Sequence, residues 1–407
     1  MTAFGVTVLV LLGMSMYFLA RPQLVSFLFA VILLRLLSRW RESGHGIPWV
    51  VVLLFLVWAN VHPGFLAGII ILAAYAAGDL ASAWTASEPG RRTELLSLFR
   101  RSSLLLAACV LVALVNPYGF RLYTHIFSFL SDSSVLAHVN EYKVVDFRTG
   151  PGRMFELMLF LSAPAAVSRL LKREFITPAL FLLWAHLALT AQRNIPFFMI
   201  GMAAPVAIWL EEMVAALRLA HTENSVIEPG RAANEGHIFR FPLLSVLVMA
   251  WIFILIRTPG SPPKFRPEWD ASLYPAQAIA AVRQLGPNAR IATTDIWGGY
   301  LIYQMYPDVH VFWDGRTDFY GSAYNLAALD AFMGRPGWDK TLAKNRITAV
   351  LVPVDEPLVS LLNQSGDWHV AYRDEVAILY QLSSTSVAGE ETRKVAESRA
   401  AARFDSR

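Results

Sequence analysis

The sequence predicts a polytopic α-helical membrane domain of about nine transmembrane helices followed by a small α/β soluble domain, on three observations. Of the 407 residues, 55% are hydrophobic and only 16% charged, against about 25% charged in an ordinary soluble chain. The deficit is confined to residues 1–257, where apolar runs alternate with short arginine-bearing stretches. Beyond them, helix-like and strand-like segments alternate as in a layered α/β domain. The expected organisation is a transmembrane domain over 1–257, an outer-face α/β domain over 258–382 and a disordered tail over 383–407.

A bilayer crossing needs about 20 apolar residues. The runs that qualify are 2–20, 22–37, 47–60, 65–84, 103–116, 154–168, 176–191, 196–210 and 241–257. Two of the breaks between them rest on charge. Arg35, Arg39 and Arg41 precede the segment Asn60-Val61-His62-Pro63-Gly64, and Arg91, Arg92, Arg100 and Arg101 follow it. Basic loops stay cytoplasmic, so the chain crosses an even number of times between them. Pro63 and Gly64 supply the break for a hairpin. The same argument divides 176–210 at Gln192-Arg193-Asn194-Ile195-Pro196, since a charge at the bilayer centre costs roughly 2.5–3.5 kcal/mol. The expected topology has a cytoplasmic N-terminus and the C-terminal domain on the periplasmic or outer face of a bacterial inner membrane.

The net charge of +4 reflects arginines in short loops, where topology requires them, and not a nucleic-acid surface. A single cysteine, Cys109 in an apolar run, excludes an internal disulfide and a cysteine zinc site. The first apolar run has no basic leader or small-residue cleavage site and reads as a retained helix. No H-E-x-x-H spacing, phosphate-binding loop or G-x-G-x-x-G occurs. No midplane charges or paired broken helices mark a transporter, which ranks last among the functional readings.

With this topology the unusual polar turns share the outer face. They are Arg21-Pro22-Gln23, the segment with Asn60 and His62, Asn116-Pro117-Tyr118-Gly119, Gln192-Arg193-Asn194, and the stretch 120–153 with His125, His138, Glu141 and Asp146. A site for a polar substrate beneath a soluble domain needs such a gathering. Asn, Pro and Gly are also ordinary helix terminators, and aromatic residues beside them serve as interfacial anchors. His186, late in its helix, reads as a hydrogen-bonded packing residue.

In the soluble region, a Pro-rich linker over 258–267 precedes helices at 276–285, 301–306, 323–332 and 339–344 and strands at 290–293, 309–313, 349–354, 368–372 and 376–381. The candidate residues there are Asp295, Trp297 and Tyr300, and the turn Asp314, Arg316 and Asp318. Trp297-Gly298-Gly299-Tyr300 equally suits a helix starting close against a strand. The acidic and basic residues of the turn suit a surface loop held by its own ion pairs, each worth roughly 0–1 kcal/mol.

The arrangement resembles the GT-C superfamily of membrane glycosyltransferases, and within it a group of bacterial polytopic membrane proteins. The residues that carry the resemblance are Arg21-Pro22-Gln23, Trp58-Ala59-Asn60 with His62 and Gly64, and Asn116-Pro117-Tyr118-Gly119. Arg193-Asn194-Ile195-Pro196, Trp297-Gly298-Gly299-Tyr300-Leu301 and Asp314-Gly315-Arg316 continue it over nearly the whole chain. The resemblance implies transfer of a sugar from a polyprenyl-phosphate carrier to a cell-envelope acceptor on the outer face. Its partners are then the bilayer and a lipid-linked sugar, with a protein partner possible and no nucleic acid. Inversion at the sugar carbon needs a carboxylate to take the acceptor's proton and arginine or a divalent metal to hold the leaving phosphate. Glu141 and Asp146 are the candidate carboxylates. Arg193, Asn194, Asn60, His62, Asn116 and Tyr118 are the candidate donor or phosphate holders. The sequence specifies no cofactor.

Two departures stand beside this. GT-C proteins keep a catalytic aspartate in the first outer loop, whereas the loop here is Arg21-Pro22-Gln23. This chain is expected to begin partway through the pattern, as an N-terminally shortened, partner-dependent or non-catalytic relative. The oligosaccharyltransferase signature W-W-D-Y-G meets Asp295-Ile296-Trp297-Gly298-Gly299 with only its last glycine matching, so peptide-acceptor recognition does not carry over. The alternative to an enzyme is a non-catalytic membrane subunit of an envelope glycan assembly complex.

Overall fold

Apolar runs punctuated by Pro, Gly and Asn become helices in the first of two units of the chain, Met1–Val248 and Met249–Arg407. The computed structural model describes residues 2–19, 21–44, 48–137, 139–222, 269–287 and 289–383. The expected crossing at 241–257, the linker at 258–267, His138 and nearly all of the expected tail lie outside these residues.

The membrane unit comprises α1 (Thr2–Gly13), α2 (Gln23–Ser43), α3 (Trp49–Val61), α4 (Phe65–Thr85), α5 (Pro89–Val112), α6 (Arg121–Leu130), α7 (Ser133–Leu136), α8 (Gly150–Leu171), α9 (Ile176–Thr190) and α10 (Ile195–Thr222). Among the described residues five helices are long and apolar enough to cross a membrane: α2, α4, α5, α8 and α10 with the turn before it. α1, α3 and α9 are apolar but shorter, so nine full-length spans are not counted. The first expected run ends at Gly13, not residue 20, because the chain turns through a 3₁₀ segment at Ser15–Tyr17. Both charge-based breaks are present. α3 ends at Val61 and α4 begins at Phe65, and α9 ends at Thr190 and α10 begins at Ile195. The stretch 120–153 is partly helical, through α6, α7 and a 3₁₀ turn at Asn140–Tyr142.

Packing of this unit centres on fully buried Phe55, Trp58, Phe65, Phe155, Trp184 and Phe198. Phe155 meets Phe198 edge-on at 5.3 Å between ring centroids, and Trp184 stacks on Phe197 at 5.2 Å. Burying such rings is the largest favourable contribution a side chain makes to a core. Leu28, Leu53, Leu111, Phe160 and Leu182 are exposed on the outside of their helices, as a lipid-facing surface requires. His186 is exposed on α9, in contrast to the packing position expected from its apolar context.

The second unit holds a five-stranded sheet in the order β2-β1-β3-β5-β4. Its strands are β1 (Arg290–Thr293), β2 (His310–Val311), β3 (Ala349–Pro353), β4 (Trp368–Arg373) and β5 (Ala377–Leu382). β1 runs parallel to both β2 and β3, and β5 is antiparallel to β3 and β4. The helices are α11 (Ile279–Gln284), α12 (Asp295–Met305), α13 (Thr317–Tyr320), α14 (Ser322–Phe332), α15 (Trp338–Lys344) and α16 (Pro357–Gln364). Alternation along the strands divides the core in two. Ala292, Val350, Val352, Ile378 and Tyr380 pack with α14, α15 and α16, and Ile291, Leu351 and Leu379 pack with α11 and α12. The result is the α/β layer expected, with helices on both faces. β2 is shorter than expected because the chain leaves the sheet at Phe312. α16 was not expected, although Glu356-Pro357 is a start signal with proline at the first helical position.

Gly298 decides how α12 meets the sheet. A Cβ there would overlap the Trp313 carbonyl oxygen and lie 3.0 Å from Asp314 Cα, whereas a Cβ on Gly299 meets nothing within 4 Å. Gly298→Ala is expected to destabilise this unit by about 1–3 kcal/mol through overpacking. Gly299→Ala is expected to stabilise it by about 0.5–1 kcal/mol through helix propensity. Denaturant unfolding of the full chain, followed by limited proteolysis, measures both, and equal signs for the two would contradict this packing.

Candidate functional site

The polar turns at one end of the membrane unit are joined by direct contacts. Tyr17 donates its hydroxyl proton to the Gln192 carbonyl at 2.7 Å. Gln192 in turn donates from its backbone N–H to the Lys143 carbonyl at 3.0 Å and from Nε2 to the Asn140 carbonyl at 2.5 Å. Arg21 Nη1 lies 2.6 Å from Glu141 Oε1. Arg193 donates to the Tyr142 hydroxyl and its guanidinium covers the Tyr142 ring at 4.4 Å. Asn60 Nδ2 donates to the Val115 carbonyl at 2.8 Å, tying the α3 end to the turn before Asn116. Three turns remote in sequence are thus joined directly, and the Asn60–Val115 contact joins two more.

His62 sits in this network in a defined protonation state. Gly64 N–H donates to its Nδ1 at 3.0 Å, so Nδ1 carries no proton. The Ser26 hydroxyl, 2.8 Å away, also donates to Nδ1 and accepts from Trp58 Nε1 at 2.8 Å. Burial first, and then the nearby Arg193 cation, push the His62 pKa down to about 4. The imidazole is therefore neutral at physiological pH, with its proton on Nε2 as a donor. Gly64 is required here for space, since a Cβ would overlap Ser26 Oγ and lie 2.7 Å from His62 Nδ1.

The remaining candidates behave differently. Asn194 Nδ2 donates to the Leu187 carbonyl at 3.0 Å and closes the end of α9. Asn116 Oδ1 accepts from Tyr118 N–H at 2.8 Å, and Tyr118 is 70% exposed. Asp146 is exposed and accepts from the Arg148 N–H at 2.9 Å, forming the turn that Thr149 continues into α8. Among the described residues, Asp146 has no side-chain contact with Arg21, Glu141 or Arg193. Tyr17 belongs to the network although the sequence did not single it out, whereas Gln192 and Tyr142 lie in turns already expected to be polar.

At the other end of the unit α4 carries a buried carboxylate, Asp79, 1% exposed. Arg41 Nη1 donates to its Oδ2 at 3.0 Å, and Ser102 Oγ donates to the same oxygen at 2.8 Å. Arg41 Nη2 lies 2.9 Å from Oδ1 as a charge contact without hydrogen-bond geometry. Asp79 lies six residues from the C-terminal end of Phe65–Thr85, away from the middle of the helix. The signal was present as a lone aspartate inside the run 65–84.

In the second unit the turn is tied by its own Asp314–Arg316 ion pair, as expected, and Gly315, Arg316 and Asp318 are exposed, but Asp314 itself is only 2% exposed. Arg316 donates through Nε and Nη2 to the two carboxylate oxygens at 2.8 and 2.6 Å, and Tyr320 donates to Oδ2 at 2.7 Å. Burial pushes the Asp314 carboxyl up, but the hydrogen bonds from Arg316 and Tyr320 outweigh it and hold the group below the usual carboxylate range. Asp318 lies in the first turn of α13. Trp297 is buried and donates to the Leu273 carbonyl at 2.9 Å, and Tyr300 is buried beside it in the same core. Asp295 begins α12, where its charge and that of Asp355 add to burial in raising the Glu356 carboxyl. The packing reading accounts for Trp297, Tyr300 and Asp314.

No family model matches the chain, and no curated protein matches it. Among solved structures, it is similar to the archaeal oligosaccharyltransferase AglB from Archaeoglobus fulgidus, in complex with an inhibitory peptide and a dolichol-phosphate. The likeness covers 81% of this chain and 50% of that one, at 14% identity and a TM-score of 0.42. The chain therefore spans about half the length of that protein.

Proposed function

We propose that the chain is a GT-C-type membrane glycosyltransferase that moves a sugar from a polyprenyl-phosphate carrier to a cell-envelope acceptor. The observation that carries this reading is the joining of Arg193, neutral His62, Arg21 and Glu141 at one end of an apolar helical unit. A lipid-linked donor requires a site at a membrane face. Glu141 takes the proton of the acceptor hydroxyl, the hydroxyl oxygen bonds the sugar carbon with inversion, and the bond from that carbon to the phosphate oxygen breaks. Arg193 and the His62 Nε2–H hold the charge that develops on the departing phosphate. Among the described residues no three His, Cys, Asp or Glu side chains group as metal ligands, and no step here runs through a metal. The proposed setting is a bacterial inner membrane, with this end of the helices on the outer face.

The test supplies the purified full chain in lipid nanodiscs with a panel of polyprenyl-phosphate sugars and follows sugar release. Turnover by the parent, reduced at least about 10²-fold in Glu141→Gln, is expected. No binding and no turnover of any donor would refute the proposal. A second reading, a non-catalytic membrane subunit, is favoured by the pairing of Glu141 with Arg21 and by the local turn that occupies Asp146. It predicts a stoichiometric protein partner on purification, and cellular function unchanged by Glu141→Gln with Asp146→Asn.

A further inference from the structure

The end of the membrane unit that carries the basic turns contains a cavity of about 300 Å³, at the opposite ends of the helices from the proposed transfer site. Four cations line it, Arg41, Arg91, Lys172 and Arg173, against two carboxylates, Glu88 and Glu174. Three of the cations already have acidic partners. Arg41 is held by Asp79 at 2.9 Å, Arg91 by Glu94 at 2.7 Å and Lys172 by Glu212 at 2.8 Å. Arg173 differs. Its Nη1 donates to the Thr85 carbonyl at 2.7 Å and the Ser87 hydroxyl at 3.3 Å, both neutral acceptors. Among the described residues it has no carboxylate partner.

The backbone supplies an independent observation. Arg173 has a φ of +57°, a conformation that costs a residue other than glycine roughly 1–2 kcal/mol. Glycine ends helices in this geometry without strain. Here an arginine follows α8 instead, and its side chain reaches across to the α4–α5 turn. The strained position thus holds a cation at the wall of the cavity. Beside the cavity the surface is apolar. Trp84 is 73% exposed and Leu171 80% exposed, and they directly precede the lining residues Thr85 and Lys172.

We infer that this cavity binds the phosphate group of an anionic ligand, with Arg173 as the cation that receives it. An anionic phospholipid headgroup and a free phosphate share this chemistry, and two arms separate them. In the first, the full chain in phosphatidylcholine nanodiscs with and without phosphatidylglycerol is assayed for retained anionic lipid by native mass spectrometry. In the second, the detergent-solubilised chain is titrated with sodium phosphate against sodium chloride at matched ionic strength, with thermal unfolding as the readout. Saturable phosphatidylglycerol retention without a phosphate effect identifies the headgroup, and a saturable phosphate effect identifies the free anion.

In either arm Arg173→Gly is expected to weaken binding about tenfold or more, the effect of one charge-assisted contact. Its unfolding temperature should equal or exceed the parent's, because glycine accepts the backbone conformation. Arg173→Gln keeps an uncharged donor and should weaken binding to the same extent. Absence of saturable binding in both arms overturns the inference, as does unchanged binding in both variants.

Discussion

Asp79→Ala is expected to destabilise the membrane unit by about 3–5 kcal/mol, the cost of stranding one partner of a buried ion pair. Asp79 is almost fully enclosed, and its oxygens receive Arg41 and Ser102 at 2.8–3.0 Å. The alanine leaves the Arg41 guanidinium, with 24% of its side chain exposed, without a counter-charge. The Ser102 hydroxyl, 1% exposed, loses its acceptor. Asp79→Asn retains an oxygen for both donors and should fall between the alanine variant and the parent. Joint replacement of Arg41 by Met and Asp79 by Leu removes both charge-desolvation costs and should recover most of the alanine loss, short of the parent by the stranded Ser102 hydroxyl. Reversible unfolding of the four proteins in one lipid composition tests this order. An alanine variant within about 0.5 kcal/mol of the parent would mean that the pair makes no net contribution.

Arg193→Gln is expected to lower sugar transfer by about 10²–10³-fold, the range seen when one donor to a developing oxyanion is removed. The fall should appear in kcat more than in KM, because the charge to be held grows as the bond to phosphate breaks. Arg193→Lys should not restore it. The guanidinium lies over the Tyr142 ring and donates to that residue's hydroxyl, and a compact ammonium does not reproduce both contacts. Carrier binding measured on the same variants separates positioning from catalysis. Parent-like turnover in Arg193→Gln would remove Arg193 from the mechanism.

Much of the fold was legible because its causes are local. Pro63 and Gly64 break one pair of helices, and the polar run from Gln192 to Asn194 breaks another, through backbone chemistry readable at those positions. The continuous apolar runs of β3 and β5, buried on both faces, are likewise local. Helix lengths were less legible. Thr2–Gly13 stops short of the apolar run that contains it because Tyr17 is drawn to the carbonyl of Gln192, a partner 175 residues away. The site divides in the same way. Residue types rare in apolar surroundings, such as Arg193 and His62, stand out in sequence. Tyr17 is an ordinary interfacial residue until the fold brings it against Gln192.

The sequence by itself determined the class of each region, because apolar run length, charge placement and turn residues act over a few neighbours. It also determined which residues were chemically unusual. The tertiary structure alone decided which of them act together. It placed Glu141 against Arg21, left Asp146 in its own turn, buried Asp314 beneath Arg316 and enclosed Asp79 with Arg41 and Ser102. The physical reason is that a charge's environment depends on what is packed around it, and those neighbours come from helices and turns far away along the chain.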